Sequence, residues 1–414
     1  MPAAGDGGCS GEIMRRNIYE SLDVQTIVNA SGPATRLSGA ILPTEVAEAM
    51  LEASQYCVDI EALQAQAGAV ISEITEAEAG YVTSGAAAAL MLGTAACVTG
   101  LDPGKMNRLP NTDGMKNEVI IPRSHRNFYD HAIRSVGVKL VEVGVSDRFS
   151  GAGVRDTEAW EIADAITNRT AAIAYIANAN AHPPLMEVVD VSQKHGVPII
   201  VDAAAQLPPA SNLKKFTALG ADLVCFSGGK AIRGPQASGF LCGRRDLISA
   251  AALQHLDQDT LFELWDPPRS LIDKNVLPGA PQHGIGRPCK VGKEEIIGLI
   301  TALRRFVAES DEERWSSWLV TVNALIDALA DIPHTQATFV VHPRRPVPMV
   351  RLEVDERKLK LRTVDLVLQL MRGKPAIHVN TSSVHESVLL FDPVCIREDD
   401  IEAIRHRLNQ IIPA

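Results

Sequence analysis

Short runs of apolar residues recur between residues 118 and 243, and polar stretches of helix or loop length separate them. The runs read EVII, VKLVEV, AAIAYIA, VPIIV, DLVCF and SGFLC. Residues 197–201 are apolar at successive positions rather than alternating, which is typical of parallel strands buried on both faces. Strands that alternate with helices predict a doubly wound α/β sheet, in which ligands bind beyond the carboxyl ends of the strands.

The length of 414 residues favours about two to three domains. We expect an N-terminal segment over residues 1–44, a large domain over 45–285 and a small C-terminal domain over 286–414. The region 253–290 is rich in proline and polar residues. We expect it to cross between the two domains, where it can line a site.

Apolar residues three and four apart predict helices at residues 45–57 and 293–307, and the second leads away from the sheet domain. The C-terminal part predicts strands VPMVRLEV, AIHV and SVLLF and helices TVDLVLQLMR and REDDIEAIRHRLNQII. The small domain is therefore expected to be α+β.

Composition and charge exclude several classes of protein. The net charge of −10 and the absence of a basic cluster argue against nucleic acid as a partner. The most apolar stretch, residues 86–98, is too short to span a bilayer, and the first ten residues resemble a loose tail rather than a secretory signal. Seven cysteines without a CxxC pair predict a reducing, cytoplasmic protein with no structural metal.

Two candidate sites involve an anion and a carboxylate. Thr83-Ser84-Gly85-Ala86-Ala87 opens an alanine-rich helix, whose unpaired N–H groups can hold a phosphate, although Ser84 can equally be an ordinary N-cap. Asp202 directly follows a buried strand. Its carboxylate can keep a heterocyclic nitrogen protonated, or it can simply cap the next turn.

The third candidate is Lys230, in the glycine-rich sequence FSGGK after the strand DLVC. Desolvation at such a place can lower the pKa of a lysine and make it a nucleophile toward carbonyl compounds; the alternative is a solvated loop lysine. A Walker-type phosphate loop fits poorly because Ala231 follows the lysine. Together, a phosphate-binding turn, a carboxylate and a lysine at strand ends are the parts that a pyridoxal phosphate site needs.

With these residues the chain resembles the pyridoxal-phosphate enzymes of the aspartate aminotransferase fold, in the branch that contains selenocysteine synthase and D-glucosaminate-6-phosphate ammonia-lyase. The resemblance runs from about Val28 to the C-terminus. Its segments are VNASGPATRLSGA, VDIEALQAQAGAVISEITEAEAGYVTSGAAAALML, SHRNFYDHAI, VDAAAQLPP, FSGGKAIRGPQASGFLCGRRDLI and GIGRPCKVGKEEIIGL. It implies a large domain with a mostly parallel sheet covered by helices on both faces, plus a small α+β C-terminal domain.

The resemblance also implies roles for single residues. Lys230 would form the Schiff base with the cofactor, Asp202 would bind the pyridine nitrogen and His125 would stack on the ring. Gln206 would reach the phenolic oxygen, although it lies four residues after Asp202 rather than the three of related aminotransferases. The residues implied for the cofactor phosphate are Ser84, Gly85, Ala86 and Ser227. His125 can instead be a satisfied core or surface histidine.

Recognition of the substrate carboxylate calls for an arginine fork, for which Arg36, Arg233 and Arg287 are the candidates. Each can instead be a surface charge. Lys290 and Lys293 can recognise a second anionic group or form a solvated helix start.

Three reactions follow removal of the Cα proton by the freed lysine: transamination, racemisation and β-elimination. The segments GGKAIRGPQ and GRPCKVGKEE are more similar to the ammonia-lyase group than to aminotransferases. We therefore predict β-elimination with ammonia release from a hydroxylated amino acid or amino sugar acid. The alternative is a pyridoxal-phosphate-dependent racemase or aminotransferase.

The sequence supports other functions less well. Transfer of selenium to a seryl-tRNA is disfavoured by the charge and because the NASG segment begins at residue 29, which leaves little room for the tRNA-binding domain of selenocysteine synthase. Intact Lys230 and Asp202 argue against a non-catalytic effector-binding module, and no GxGxxG follows a strand as a nicotinamide enzyme would need. The family further implies at least a homodimer, in which the partner often touches the cofactor phosphate.

Overall fold

The computed structural model describes residues 17–145 and 156–412, so the predicted N-terminal tail lies outside the described residues. The strands are β1 (Ile27–Ala30), β2 (Ala79–Thr83), β3 (Glu118–Pro122), β4 (Lys139–Val143), β5 (Thr170–Ile176), β6 (Ile199–Asp202), β7 (Leu223–Ser227), β8 (Gly239–Gly243), β9 (Thr335–Val341), β10 (Pro348–Val354), β11 (Ala376–Val379) and β12 (Val388–Phe391). The helices are α1 (Thr44–Ser54), α2 (Ile60–Thr75), α3 (Ala86–Thr99), α4 (Pro103–Arg108), α5 (Asp130–Arg134), α6 (Ala159–Ala165), α7 (Leu185–His195), α8 (Asn212–Ala218), α9 (Arg245–His255), α10 (Lys293–Ala308), α11 (Asp311–Leu329), α12 (Glu356–Leu359), α13 (Thr363–Met371) and α14 (Glu398–Ile411).

The chain divides into two compact units, and the larger contains residues 33–320 and 341–348. Its seven-stranded sheet has the order β2-β8-β7-β6-β5-β3-β4. Neighbouring strands are parallel except that β8 runs antiparallel to both β2 and β7. Each apolar run identified between residues 118 and 243 forms one of these strands, so the predicted mostly parallel α/β sheet is confirmed.

Helices cover both faces of this sheet because alternate residues of each strand point to opposite sides. In β6, Ile200 belongs to the core shared with α3 and α9, whereas Ile199 and Val201 belong to the core shared with α7, α8 and α10. Helix α3 lies close to the sheet: a Cβ added at Gly93 would sit 3.2 Å from Cδ1 of Leu223. Its small residues therefore serve packing as well as helix propensity.

The smaller unit contains the described part of residues 1–32 together with 321–340 and 349–412. It has a three-stranded sheet of order β12-β10-β9 and a separate parallel pair, β1 with β11. Its core includes Val28, Leu352, Ile377, Leu366 and Leu408. The predicted α+β character of the C-terminal region is therefore observed.

The units divide the chain at other positions than the expected residues 44 and 285. Residues 33–43 belong to the larger unit, and β1 of the N-terminal segment pairs with β11 of the smaller one. Helix α10 also belongs to the larger unit, where Ile296, Leu299 and Leu303 are buried. Within the described ranges, no helix combines the length and the apolar character needed to cross a membrane.

Candidate active site

The sheet order brings the carboxyl ends of β2, β3, β6 and β7 to one edge of the larger unit. The residues predicted from the sequence lie there: Ser84, Gly85 and Ala86 after β2, His125 after β3, Asp202 at the end of β6, Ser227 at the end of β7 and Lys230 after β7. The reversed strand β8 brings its amino end to the same edge, where Gly239 pairs with Thr83 on one side and Ser227 on the other.

The turn after β2 forms an open cradle at the start of α3. Gly85 is the N-cap residue with φ +131°, and no side chain caps the helix, so Ser84 is not its N-cap. A Cβ on Gly85 would meet nothing within 4 Å, whereas a Cβ on Gly239 would lie 2.7 Å from the backbone N of Ala86. The first N–H groups of α3 thus face open space. Beneath them Gly239 of β8 packs closely and forms the floor of the cradle. This arrangement suits an anion.

Lys230 follows a turn that the backbone holds closed. Gly228 N–H donates to the carbonyl of Ser238 (2.9 Å), and Gly234 N–H donates to the carbonyl of Gly228 (2.9 Å). The Lys230 side chain is half-buried. Burial lowers its pKa, while the carboxylate of Asp202 opposes that shift. A lowered pKa leaves more of the amine neutral and nucleophilic.

Asp202 is buried, with 8% of its surface exposed, and accepts a hydrogen bond from the backbone N–H of Ala204 (3.0 Å). Burial raises the pKa of this carboxyl, and the positive charge of Lys230 partly reverses the effect. A cationic ring nitrogen at the same place would stabilise the ionised form further.

His125 is buried and held as a neutral ring. Its Nδ1 accepts the backbone N–H of Ile176 (3.2 Å), so the ring proton belongs on Nε2, which has no hydrogen-bond partner among the described residues. Tyr175 meets the imidazole edge to face, with 4.8 Å between ring centroids. Burial lowers the pKa of His125 to about 4. A flat neutral ring of this kind can stack on an aromatic cofactor.

Gln206 is tied to the end of β5: its Nε2 donates to the carbonyl of Ala177 at 2.6 Å. One N–H of the amide is therefore already used, and only the other could meet a phenolic oxygen. The predicted role of Gln206 stays a prediction.

Of the predicted arginines, Arg36 and Arg233 lie around the lysine turn. Arg36 is exposed on a loop that reaches this turn through Ala40 N–H, which donates to the carbonyl of Gly229 at 3.2 Å. Arg233 has φ +59°, and its Nε donates to the carbonyl of Ile41 (3.0 Å). Arg233 thus fastens the N-terminal loop to the lysine turn.

The third arginine, Arg287, lies beside a surface cavity and forms an ion pair with Asp257, with Nε and Oδ2 3.0 Å apart. Lys290 lines the same cavity, whereas Lys293 pairs with Glu294. The two lysines considered for a second anionic group are therefore in different surroundings.

Arg345 is a residue that the sequence reasoning missed. It lies in the turn between β9 and β10, and residues 341–348 of this turn belong to the same compact unit as Lys230. Burial is the main cause of the lowered pKa of Lys230 and of His342, and the positive charge of Arg345 adds to both shifts. The sequence PRRP within HPRRPVP marked a cationic turn, but nothing local indicated which part of the fold it approaches.

The chemistry of these groups fits pyridoxal phosphate. The site offers unpaired helix N–H groups for a phosphate, a buried carboxylate for a ring nitrogen, a neutral imidazole for a ring face and an amine with a lowered pKa for an aldehyde. Each group was predicted from the sequence, and the fold places them at one edge of one sheet.

Comparison with known proteins supports this assignment of fold and family. The family model of L-seryl-tRNA selenium transferase matches residues 27–259. A 5'-C-glycyluridine monooxygenase-decarboxylase from Streptomyces sp is 32% identical over 95% of this chain and 92% of its own. D-glucosaminate-6-phosphate ammonia lyase from Salmonella typhimurium is 31% identical over 96% of this chain and 98% of its own.

Solved structures agree with these sequence matches. The structure of D-glucosaminate-6-phosphate ammonia-lyase matches with a TM-score of 0.80 and 29% identity, covering 96% of this chain and 99% of that one. A cysteine desulfurase from Thermococcus onnurineus NA1 matches with a TM-score of 0.53 and 15% identity over 93% and 94%, which shows the fold alone. The aspartate aminotransferase-type fold and the resemblance predicted from the sequence are confirmed. The chain belongs to the L-seryl-tRNA selenium transferase family.

Proposed function

We propose that this protein is a pyridoxal-phosphate-dependent ammonia-lyase that acts by β-elimination on a hydroxylated amino acid or amino sugar acid. The observation that carries the proposal is the likeness to D-glucosaminate-6-phosphate ammonia lyase along almost the whole of both chains, with a TM-score of 0.80. The convergence of Lys230, Asp202 and the cradle at Gly85 at one sheet edge supports it.

The cofactor is pyridoxal 5'-phosphate. When bound, it supplies an aldehyde that links to amines and a ring that accepts electrons from Cα. In our proposal Lys230 holds it through Nζ, Asp202 keeps its ring nitrogen protonated and His125 lies against the ring. Ser84, Gly85, Ala86 and Ser227 hold the phosphate, and Gln206 offers its remaining N–H to the phenolic oxygen.

Proton handling then belongs to Lys230. Its Nζ, of which more is neutral because the pKa is lowered, would take the proton from Cα of the substrate. The β-hydroxyl leaves as water when Nζ or another acid returns a proton to it. The resulting enamine would become an imine by taking a proton at its β-carbon, and water would add to the imine carbon and release ammonia and a 2-keto acid. The net change is an amino acid converted to a keto acid and ammonium.

For the substrate carboxylate we propose Arg36, whose exposed guanidinium has no ion pair among the described residues. Arg345 is a further candidate because its charge acts on Lys230. Arg287 and Lys290 remain candidates for a second anionic group, and Arg233 contributes by fixing the N-terminal loop to the lysine turn.

We propose that the active form is at least a homodimer in the cytoplasm. Leu264, which lines the cavity at Arg287, is 74% exposed, and Leu261, three residues before it in the chain, is 67% exposed. Such a patch is typical of a subunit interface. Size-exclusion chromatography with light scattering tests this, and a fully active monomer would contradict it. Cell fractionation tests the location, which the cysteine pattern favours.

The first test is the visible absorption spectrum of the purified protein beside Lys230→Ala. We expect an absorption band of lysine-bound cofactor in the wild type that borohydride fixes to a peptide containing Lys230. Lys116→Ala, at an exposed lysine before β3, serves as control. Absence of the band after incubation with pyridoxal phosphate would contradict the assignment.

The reaction is then identified with a panel of β-hydroxy amino acids and amino sugar acids. Ammonia and a keto acid in equal amounts support the lyase. Turnover of substrates whose β-hydroxyl has been replaced by hydrogen would favour a racemase or aminotransferase instead.

A second candidate function follows from the 32% identity to the monooxygenase-decarboxylase over 95% of this chain. Such an activity would consume dioxygen and release carbon dioxide. Ammonia release that persists without oxygen supports the lyase, whereas strict dependence on oxygen with carbon dioxide as a product would support this alternative.

A further inference from the structure

Residues 34–41 form a closed loop within the larger unit. Gly39 N–H donates to the carbonyl of Ala34 (3.0 Å), and these two residues pair as an isolated antiparallel bridge. Leu37 is buried, whereas Arg36 stands exposed on the short 3-10 turn between the two ends. The loop therefore has a fixed shape and carries one exposed guanidinium.

The base of this loop packs against the peptide that precedes Lys230. Ala40 N–H donates to the carbonyl of Gly229 (3.2 Å). Gly39 has φ +74°, and a Cβ added to it would lie 2.7 Å from the same carbonyl oxygen. A side chain at Gly39 is therefore excluded both by the backbone conformation and by the lack of space. Loop and lysine turn (residues 228–236) meet backbone against backbone.

Gln236 lies between the loop and the lysine turn. A Cβ on Gly229 would lie 2.7 Å from Oε1 and 2.8 Å from Cα of Gln236, and a Cβ on Gly39 would overlap the same Oε1. The amide of this residue thus packs against both segments at once. Because all of these contacts involve glycine backbone, a small change in the position of Gln236 changes the fit of the loop on the turn.

Arg233 closes the lysine turn in a backbone conformation that few residues adopt. Its φ is +59°, its N–H donates to the carbonyl of Lys230 (3.0 Å), and its Nε donates to the carbonyl of Ile41 (3.0 Å). Glycine adopts a positive φ without steric cost, whereas arginine is strained there. Such strain persists where the side chain contributes something that glycine cannot supply. Here the side chain reaches the loop.

Both segments carry positive charge only. Residues 34–41 and 228–236 include Arg36, Lys230 and Arg233 but no aspartate or glutamate. The charge of Arg345 also acts on Lys230. An anionic group of a substrate that approaches Lys230 along these segments is therefore attracted by each of their charges.

We propose that Arg233 and Gln236 are positioning residues, which hold the loop of residues 34–41 on the lysine turn so that Arg36 selects amines with a carboxylate. Three peptide links separate Arg36 from Gly39, so their Cα atoms are at most about 11 Å apart. The inference deepens the proposed function, because it rests on a cofactor held by Lys230 and on Arg36 as the group that binds the carboxylate.

The test uses two amines that displace Lys230 from the cofactor without any β-elimination. Aminooxyacetate carries a carboxylate, and O-methylhydroxylamine is a related aminooxy compound that has none. For each compound, the rate at which the absorption band of the lysine-bound cofactor disappears is measured on the cofactor-loaded protein. The ratio of the two rates reports recognition of the carboxylate, since a change in the reactivity of Lys230 affects both rates alike.

We expect Arg36→Gln to lower this ratio about tenfold or more, the effect of a lost hydrogen bond between charged groups. Arg233→Gly and Gln236→Ala should each lower the ratio about three- to tenfold and leave the rate with O-methylhydroxylamine within about twofold. Arg233→Lys keeps a donor for the carbonyl of Ile41 and should restore part of the ratio. The matched control is Glu76→Gly, at an exposed residue with φ +54° that ends α2, and it should leave the ratio unchanged.

Glycine at position 233 separates the side chain from the backbone. If Arg233 served only the backbone of the turn, Arg233→Gly would relieve the strain and keep the wild-type ratio, which would overturn its proposed role. A ratio in Gln236→Ala equal to that of Glu76→Gly would do the same for Gln236. A fall of both rates by one factor would contradict selection of the carboxylate, as would an unchanged ratio in Arg36→Gln. These results do not bear on ammonia release, which tests the proposed function separately.

Discussion

Alanine at Gly239 tests whether the tight floor beneath the phosphate cradle controls cofactor binding. The added Cβ would lie 2.7 Å from the backbone N of Ala86, from C of Gly85 and from the carbonyl O of Phe226. All three neighbours are backbone atoms, so no side-chain rotation can relieve the contact. The cradle must move by about 0.7 Å to reach ordinary van der Waals separation, at a cost of about 1–3 kcal/mol.

That displacement moves the N–H groups that would bind the phosphate. Loss of one hydrogen bond to a charged group costs about 1.5–3 kcal/mol, so we expect Gly239→Ala to bind pyridoxal phosphate about ten- to a hundredfold more weakly. Equilibrium dialysis of the apoprotein measures this. Gly279→Ala is the control because its Cβ would meet nothing within 4 Å. Equal affinity of the two variants would refute the reasoning.

Three further predictions concern the titrating groups of the site. The pKa of His125 is about 4 when folded, against about 6.5 when unfolded. Acid therefore protonates the unfolded state first, and stability falls between pH 6.5 and 4 by up to about 3 kcal/mol; urea unfolding of His125→Gln should show a shallower loss over this window. Arg345→Gln should raise the pKa of Lys230 because a nearby positive charge is removed; amine labelling of the apoprotein against pH, read by mass spectrometry, would contradict this if the profile did not move. Asp202→Asn should still bind pyridoxal phosphate but lose at least about a hundredfold in ammonia release, since the ring nitrogen loses its counter-charge; near-normal turnover would remove Asp202 from its proposed role.

The sequence was sufficient for the parallel sheet because buried strands in such a sheet are continuous apolar runs, and each run there is a strand. It was insufficient for β1, since Ile27–Ala30 is a short segment whose partner, β11, lies about 350 residues away. The apolar residues three and four apart in α10 predicted a buried face, but they did not indicate which elements cover that face.

The same limit applies to the site. Ser84, Asp202 and Lys230 stand next to strand ends and were accessible to local reasoning. Arg345 acts on Lys230 through a proximity that only the folded chain creates. Ser84 also shows that composition can mislead at a helix start, because a glycine with positive φ occupies the N-cap position instead.

The reversal of β8 sets where the next part of the chain can go. A parallel strand in its place would end at the catalytic edge, whereas β8 begins there with Gly239 and ends at the far edge with Gly243. Helix α9 must then travel back, and it delivers residues 255–266 to the edge that holds the cradle. One change of strand direction therefore brings the Gly239 end of β8 and the last turn of α9 to the same edge: a change in the length of the 228–238 connection would disturb the cradle and the position of residues 255–266 together.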